Sequence, residues 1–289
     1  AFGLLRLGSL LKYIPQPLII GFTSAIALTI FTTQIKDALG LTITDMPDSF
    51  IGKWGAYFSG LDTFNPWAFG IMIATVLIGV YTPKLIKRVP GSFIAIVLMT
   101  AVVAIFDLPV VTIETLYGDI PNTISVSALK FDLSNIGDYI QPAITIALLG
   151  AIESLLSAVV ADGMISGHHR SNTELIAQGI ANIATPFFGG IPATGAIART
   201  ATNIKNGGRT PIAGIVHAAV LLLIVLFFGR FAKLIPMSVL AGILIVVAYN
   251  MSEWRLFRSV VTRSGTFDRI ILLVTFFLTV LVDLTVAIE

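Results

Sequence analysis

The sequence predicts an all-α, multi-pass membrane protein, and three observations carry that prediction. Of its 289 residues, 56% are hydrophobic and only 12% charged, against about 45–50% and about 25% in soluble domains. Mean hydropathy is +0.93. The apolar residues gather into eight stretches, 17–33, 67–82, 91–106, 140–161, 175–188, 212–228, 237–249 and 270–288, most of them approaching the ~20 residues that a crossing of the hydrocarbon layer requires. The composition is sufficient for on the order of eight crossings.

Taken in order, 17–33, 67–82 and 91–106 span a bilayer as helices once flanking residues are counted, at about 1.5 Å of rise per residue. The stretch 140–161 is long enough by itself and carries Glu153 near its middle. The stretches 175–188 and 237–249 are short, which points to helices that are broken or buried in protein. Ser171 and Glu174 open the first of these with the spacing of a capping box. Phe188-Gly-Gly-Ile-Pro-Ala-Thr-Gly-Ala-Ile-Ala-Arg-Thr-Ala-Thr-Asn203 is the most irregular membrane-like stretch. It cannot lie in lipid as a loop, because each unpaired backbone group there costs several kcal/mol. Its glycine and proline punctuation, followed by an Ala-rich run, predicts extended backbone entering a half-helix over about 193–203, buried in protein and lining a cavity. After 212–228 and 237–249, the segment 251–265 mixes Trp254, Leu256, Phe257 and Val260 with Arg255, Arg258 and Arg263, as suits an interfacial amphipathic helix. The last stretch, 270–288, holds Asp283.

Charge sets the expected topology, because cytoplasmic loops near span ends collect Lys and Arg. Arg6, Lys12, Lys84, Lys87, Arg88, Arg170, Lys205, Arg209, Arg255, Arg258, Arg263 and Arg269 fall on one side. The opposite loops hold Asp37, Asp45, Asp48, Asp62, Asp107, Glu114, Asp119, Asp132 and Asp138 with Lys36, Lys53, Lys130, Arg230 and Lys233. The alternation closes only if the half-helix counts as a crossing. A net charge of +2 argues against a nucleic-acid partner. Without cysteine there is no disulfide framework, thiolate zinc site or cysteine nucleophile. The histidines are His168, His169 and His217, thin material for a metal site, so neither metal nor cofactor is expected. Asp162 is expected to end its helix at the cytoplasmic face, with His168 and His169 in a solvated loop. Ser166 beside these histidines does not make an intramembrane protease, since neighbours in a basic loop are not a nucleophile and base brought together in the bilayer.

Charges at bilayer depth are costly and mark function. Glu153 and Ser157 share one helix face and together suit a cation or a proton; the structural alternative is that Glu153 pairs with Arg199. Across Gly190–Ala196, a half-helix starting near Ala193 would leave the N–H groups of Gly195, Ala196 and Ile197 unpaired at its positive end, an anion site beside Thr194. Gly195 admits a ligand to the backbone, and Arg199 adds a full charge. The alternative is a helix-packing stretch with Arg199 snorkelling to the interface.

At these residues the chain resembles the sulfate permease (SulP) family of inorganic anion transporters. The segments that carry the resemblance are Gly8 to Gly21, Gly118-Asp119-Ile120-Pro121, Glu153-Ser154-Leu155-Leu156-Ser157 through Ala161-Asp162, His169, Ser171-Asn172, Glu174-Leu175, Ala177-Gln178-Gly179, Asn182, and Gly189-Gly190-Ile191-Pro192 to Arg199-Thr200. The resemblance implies a partial seven-plus-seven inverted-repeat fold, shared with nucleobase permeases, with a broken helix near 190–203 and a core that moves against a gate like an elevator. It implies gate helices in 1–139, core helices in 140–229 with the substrate half-helix 193–203, and gate helices again in 230–289. On this reading the chain is a segment lacking four N-terminal helices, the last helix and a C-terminal STAS domain. Thr194, Gly195, Ala196, Ile197 and Arg199 take the substrate positions, and Glu153 with Ser157 the coupling-ion positions. Sodium-coupled bicarbonate members carry Asp and Thr in place of Glu153 and Ser157, and Thr in place of Ile197, so the resemblance favours proton coupling or anion exchange. The implied substrate is sulfate, with bicarbonate or dicarboxylate behind. The implied setting is a homodimer among lipids of the cell membrane. Competing readings are a nucleobase permease of the same fold and a channel-like anion conductor.

Overall fold

The computed structural model describes residues 1–8, 15–85, 89–118 and 136–282. Lys12, Lys87, Arg88, Asp119, Lys130, Asp132 and Asp283, named above, lie outside the described residues. Every regular element among the described residues is helical, and the only strand-like pairing there is one antiparallel bridge, Thr112 to Pro236. The fold is therefore all-α, as the hydropathy predicts. Among the described residues, five helices are long and apolar enough to cross a membrane. The stretches 91–106, 175–188 and 270–288 give described helices of 16, 14 and 16 residues, the first of them about 24 Å long.

The chain divides into two compact units, one from residues 1–14 and 122–226, the other from 15–121 and 227–289. The second contains α1 (Gln16–Leu39), α2 (Phe50–Ser59), α3 (Pro66–Leu85), α4 (Gly91–Phe106) and α5 (Ile113–Tyr117). Local chemistry sets their ends. Asn65 accepts hydrogen bonds from the N–H groups of Trp67 and Ala68 and so caps α3, with Pro66 in the position where a missing N–H costs nothing. Thr112 and Thr115 close a reciprocal capping box on α5. Later in the chain the same unit adds α10 (Met237–Met251), α11 (Trp254–Arg263) and α12 (Thr266–Leu281). Helix α1 packs on α10 and α12, and α3 on α4 and α10. Ile71, Met99, Val103 and Val239 form the buried core. The amphipathic segment of the sequence is α11, with Arg255 stacked on Trp254.

The first unit is built on α6 (Ile136–Ile165), α7 (Ser171–Ala184) and α8 (Ile197–Lys205), with a 3₁₀ turn at Thr185–Phe188. Helix α6 has 30 residues, about 45 Å, and packs against both α7 and α8. Helix α9 (Ile212–Ala232) leads out of this unit. Its apolar side chains, Val220 to Val225 among them, are exposed, as lipid-facing residues are.

Candidate functional site

Gly189 ends the 3₁₀ turn with φ +70°, a conformation that glycine adopts without steric cost. Residues 190–196 form no regular element, and α8 begins at Ile197, with Ala196 as an extended N-cap. The helix thus starts four residues later than the composition predicts. The reason lies on α7. Asn182 Oδ1 accepts from the Ala193 N–H at 2.8 Å, and Asn182 Nδ2 donates back to the Ala193 carbonyl at 2.8 Å. Gln178 Nε2 donates to the same carbonyl. These bonds occupy both the N–H and the carbonyl of Ala193 and so deny them to the helical ladder.

The Ala-rich run therefore supplies both the lead-in and the helix. In α8 the first ladder bond runs from the Thr200 N–H to the Ala196 carbonyl at 2.9 Å, so the N–H groups of Ile197, Ala198 and Arg199 precede the ladder. Ala196 brings no side-chain acceptor to them. The N–H groups of Gly195 and Ala196 have no partner among the described residues. Five N–H donors thus lie without a partner at the start of α8, where the helix dipole is positive, as suits an anion.

Helix α6 supplies the opposing wall. Thr194 Oγ1 donates to the Gly150 carbonyl at 2.8 Å. A Cβ built on Gly195 would stand 3.4 Å from Ser154 Cα and from Ser157 Oγ. Gly150, Ser154 and Ser157 recur at helical spacing and form one stripe. Ser157 is 5% exposed, yet its hydroxyl has no hydrogen-bond partner among the described residues. A buried hydroxyl without a partner is uncommon, and this one faces the lead-in at Gly195. Glu153 belongs to the same stripe, one turn before Ser157, half-buried and without a described hydrogen bond or ion pair. Arg199 is exposed. The ion pairs among the described residues are Asp162–His169 and Glu114–Lys233, so the structural alternative of a Glu153–Arg199 bridge is not formed.

Two smaller expectations are also corrected. Ser171 and Glu174 make no capping box, and Arg170 is the N-cap of α7. The Glu174 carboxylate instead accepts from Ser154 Oγ at 2.6 Å, tying α7 to α6. Ser171 Oγ lies 2.9 Å from His169 Nε2, while Asp162 Oδ2 accepts from the His169 N–H at 2.9 Å and lies 2.7 Å from Nδ1. His169 is thus a half-buried clamp across the α6–α7 turn rather than a solvated loop residue. Among the described residues no three His, Asp or Glu side chains are placed to hold a metal. A cavity of about 570 Å³ lies within this unit, lined by Pro142, Ile146, Gly150, Gln178, Asn182 and Thr194 among others.

Sequence reasoning singled out Thr194, Gly195, Glu153 and Ser157, but assigned no role to Gln178, Asn182 or the Gly150 carbonyl. The signal was available for two of these. Amides one helical turn apart on the otherwise apolar part of α7 from Leu175 onward must find partners when removed from water.

A profile of the sulfate permease family matches residues 1–275. The chain belongs to the sulfate permease family. It is similar to YvdB of Bacillus subtilis (strain 168), named as a candidate sulfate transporter, with 43% identity over 99% of this chain and 54% of that protein. It is also similar to the bicarbonate transporter BicA of Synechocystis, with 32% identity over 100% of this chain and 50% of that protein. The chain therefore spans about half the length of the curated relatives it matches. Among solved structures, the transmembrane domain of a cyanobacterial BicA superposes with a TM-score of 0.81 at 30% identity, covering 100% of this chain and 73% of that one. SLC26A9 superposes with a TM-score of 0.84 at 21% identity, covering 96% and 44%, a likeness of fold. With its apolar helices and this family membership, the chain is a multi-pass membrane protein of transporter fold, and the relatives named here are transporters rather than enzymes.

Proposed function

We propose that the chain is part of a secondary active transporter of small oxyanions, with sulfate as its first substrate. The observation that carries this reading is the junction of the extended lead-in with α8. Unpaired N–H groups from Gly195 to Arg199 meet the positive end of the helix, with the unpartnered Ser157 hydroxyl alongside. Such a donor set holds an oxyanion through several hydrogen bonds without a fixed counter-charge. Ile197 and Thr194 border it, and Arg199 draws the anion in and offsets its second charge.

The unit made of 1–14 and 122–226 then acts as the substrate-carrying core, and the unit of 15–121 and 227–289 as the gate. Glu153, on the stripe that reaches Ser157, takes up the coupling proton or is replaced in function by a counter-anion. That it has no ion-pair partner among the described residues supports a group that changes charge during the cycle. The names of the relatives support sulfate and bicarbonate as the substrates to test, and the BicA matches, which run over the whole of this chain, favour bicarbonate as the second reading.

The test is uptake of radiolabelled sulfate and bicarbonate into proteoliposomes by the full-length protein, with and without an inward proton gradient. Gradient-driven sulfate uptake that Glu153→Gln renders insensitive to the gradient, and that Arg199→Ala weakens, is expected. Equal, pH-independent uptake by both variants would sink the site assignment. A current without stoichiometric coupling would favour a channel-like conductor instead.

A further inference from the structure

We infer that Asn182, with Gln178, is a positioning residue that sets the anion affinity of the site by holding the peptide of Ala193; this rests on the anion reading given above. In extended backbone, the N–H and C=O of one residue point to the same side, and in a sheet a neighbouring strand engages both. Here no strand lies beside Ala193 among the described residues, and one side-chain amide takes the strand's place. Asn182 accepts from the Ala193 N–H and donates to its carbonyl, each at 2.8 Å.

Only one orientation of the amide satisfies both bonds, and a third bond fixes it: Asn182 Nδ2 also donates to the Gln178 carbonyl at 3.0 Å. Gln178 Nε2 adds a second donor to Ala193 O, so both acceptor sites of that carbonyl are used. The next residue, Thr194, is anchored on the other side to the Gly150 carbonyl of α6. The lead-in is thus held between α7 and α6 at adjacent residues, two positions before the Ala196 cap.

The consequence is pre-organisation. Donors that are free to wander bind an anion only in the fraction of time they converge, and apparent affinity falls by that fraction. Asparagine fits this role by chemistry: aspartate would keep the acceptor but press a carboxylate against the Ala193 carbonyl, and leucine would fill the same volume with neither function. Because the amide touches the backbone and not the anion, its loss raises KM while leaving kcat largely intact.

The test uses the full-length protein in proteoliposomes, with sulfate and bicarbonate as the probes, together with amide hydrogen exchange of the 189–197 segment. Asn182→Leu is expected to raise the anion KM about tenfold with kcat within about threefold, and Asn182→Asp by at least as much, since two hydrogen bonds are lost or opposed. Exchange at the Ala193 amide should accelerate in both. Gln178→Leu, which removes one bond and spares the Asn182 pair, is the milder variant should Asn182→Leu fail to fold, with an expected KM increase of about threefold. Unchanged KM and unchanged exchange in folded variants overturns the clamp. Faster exchange in the variants, with no saturable uptake of either anion by the unaltered protein, overturns the anion reading and leaves the clamp standing.

Discussion

Replacing Gly195 by a graded series tests the close approach between the lead-in and α6. A Cβ at this position would sit 3.4 Å from Ser154 Cα and Ser157 Oγ and 3.5 Å from Ser157 Cβ, which is ordinary van der Waals contact. Gly195→Ala should therefore fit, with anion KM within about threefold of the unaltered protein. Gly195→Val extends two further carbons about 1.5 Å beyond that Cβ, toward the same helix. Relieving that overlap costs about 1–3 kcal/mol, and if the lead-in yields, the donors from Gly195 to Arg199 shift off the anion. At about 1.4 kcal/mol per tenfold, KM should rise by roughly 5- to 150-fold. Gly195 does not lie in the left-handed region, so the effect is one of space rather than of backbone strain. The assay is the concentration dependence of sulfate uptake in proteoliposomes, with the unfolding midpoint in detergent as a control. Adding Ser157→Gly to Gly195→Val should recover part of the loss, a coupling that a double-mutant cycle isolates. Wild-type KM for Gly195→Val, or equal damage from Ala and Val, would refute the reasoning.

Two further predictions concern stability. Gly21 in α1 meets α12 so closely that a Cβ would stand 2.6 Å from the Leu272 carbonyl oxygen; Gly21→Ala should cost about 1–3 kcal/mol, read as a lower unfolding midpoint, and an unchanged midpoint would show that the helices part freely. The Glu114–Lys233 ion pair is 2.7 Å long, but its side chains are 42% and 25% exposed, so Glu114→Gln should cost less than about 1 kcal/mol, checked by the same midpoint at low and high salt.

The two readings of Ala193 show where sequence and tertiary structure part. An Ala-rich run after Gly-Gly-Ile-Pro has the propensity to start a helix at Ala193, and nothing within that run opposes it. The opposing groups, Asn182 and Gln178, lie 11 and 15 residues earlier on another helix, and only folding brings their amides to the Ala193 peptide. The capping box failed for a related reason. Ser171 and Glu174 have the right spacing, but Ser154 and His169 compete for their side chains across the α6–α7 turn.

What the sequence determined alone was whatever depends on composition and short spacing. The membrane class follows from apolar excess, which no tertiary arrangement can alter. The all-α class follows because a single-pass element in lipid must satisfy its own backbone. The broken helix near 190–203 follows from glycine and proline, whose conformational limits are local. The placement of Glu153 and Ser157 on one face follows from helical period. The tertiary structure decided which of the eight apolar stretches form long helices among the described residues and where α8 begins, and that, among the same residues, Glu153 has no ion-pair partner and Ser157 stays buried and unpartnered beside Gly195. Each of these depends on which groups distant in the chain come together and which do not, so no local pattern encodes it.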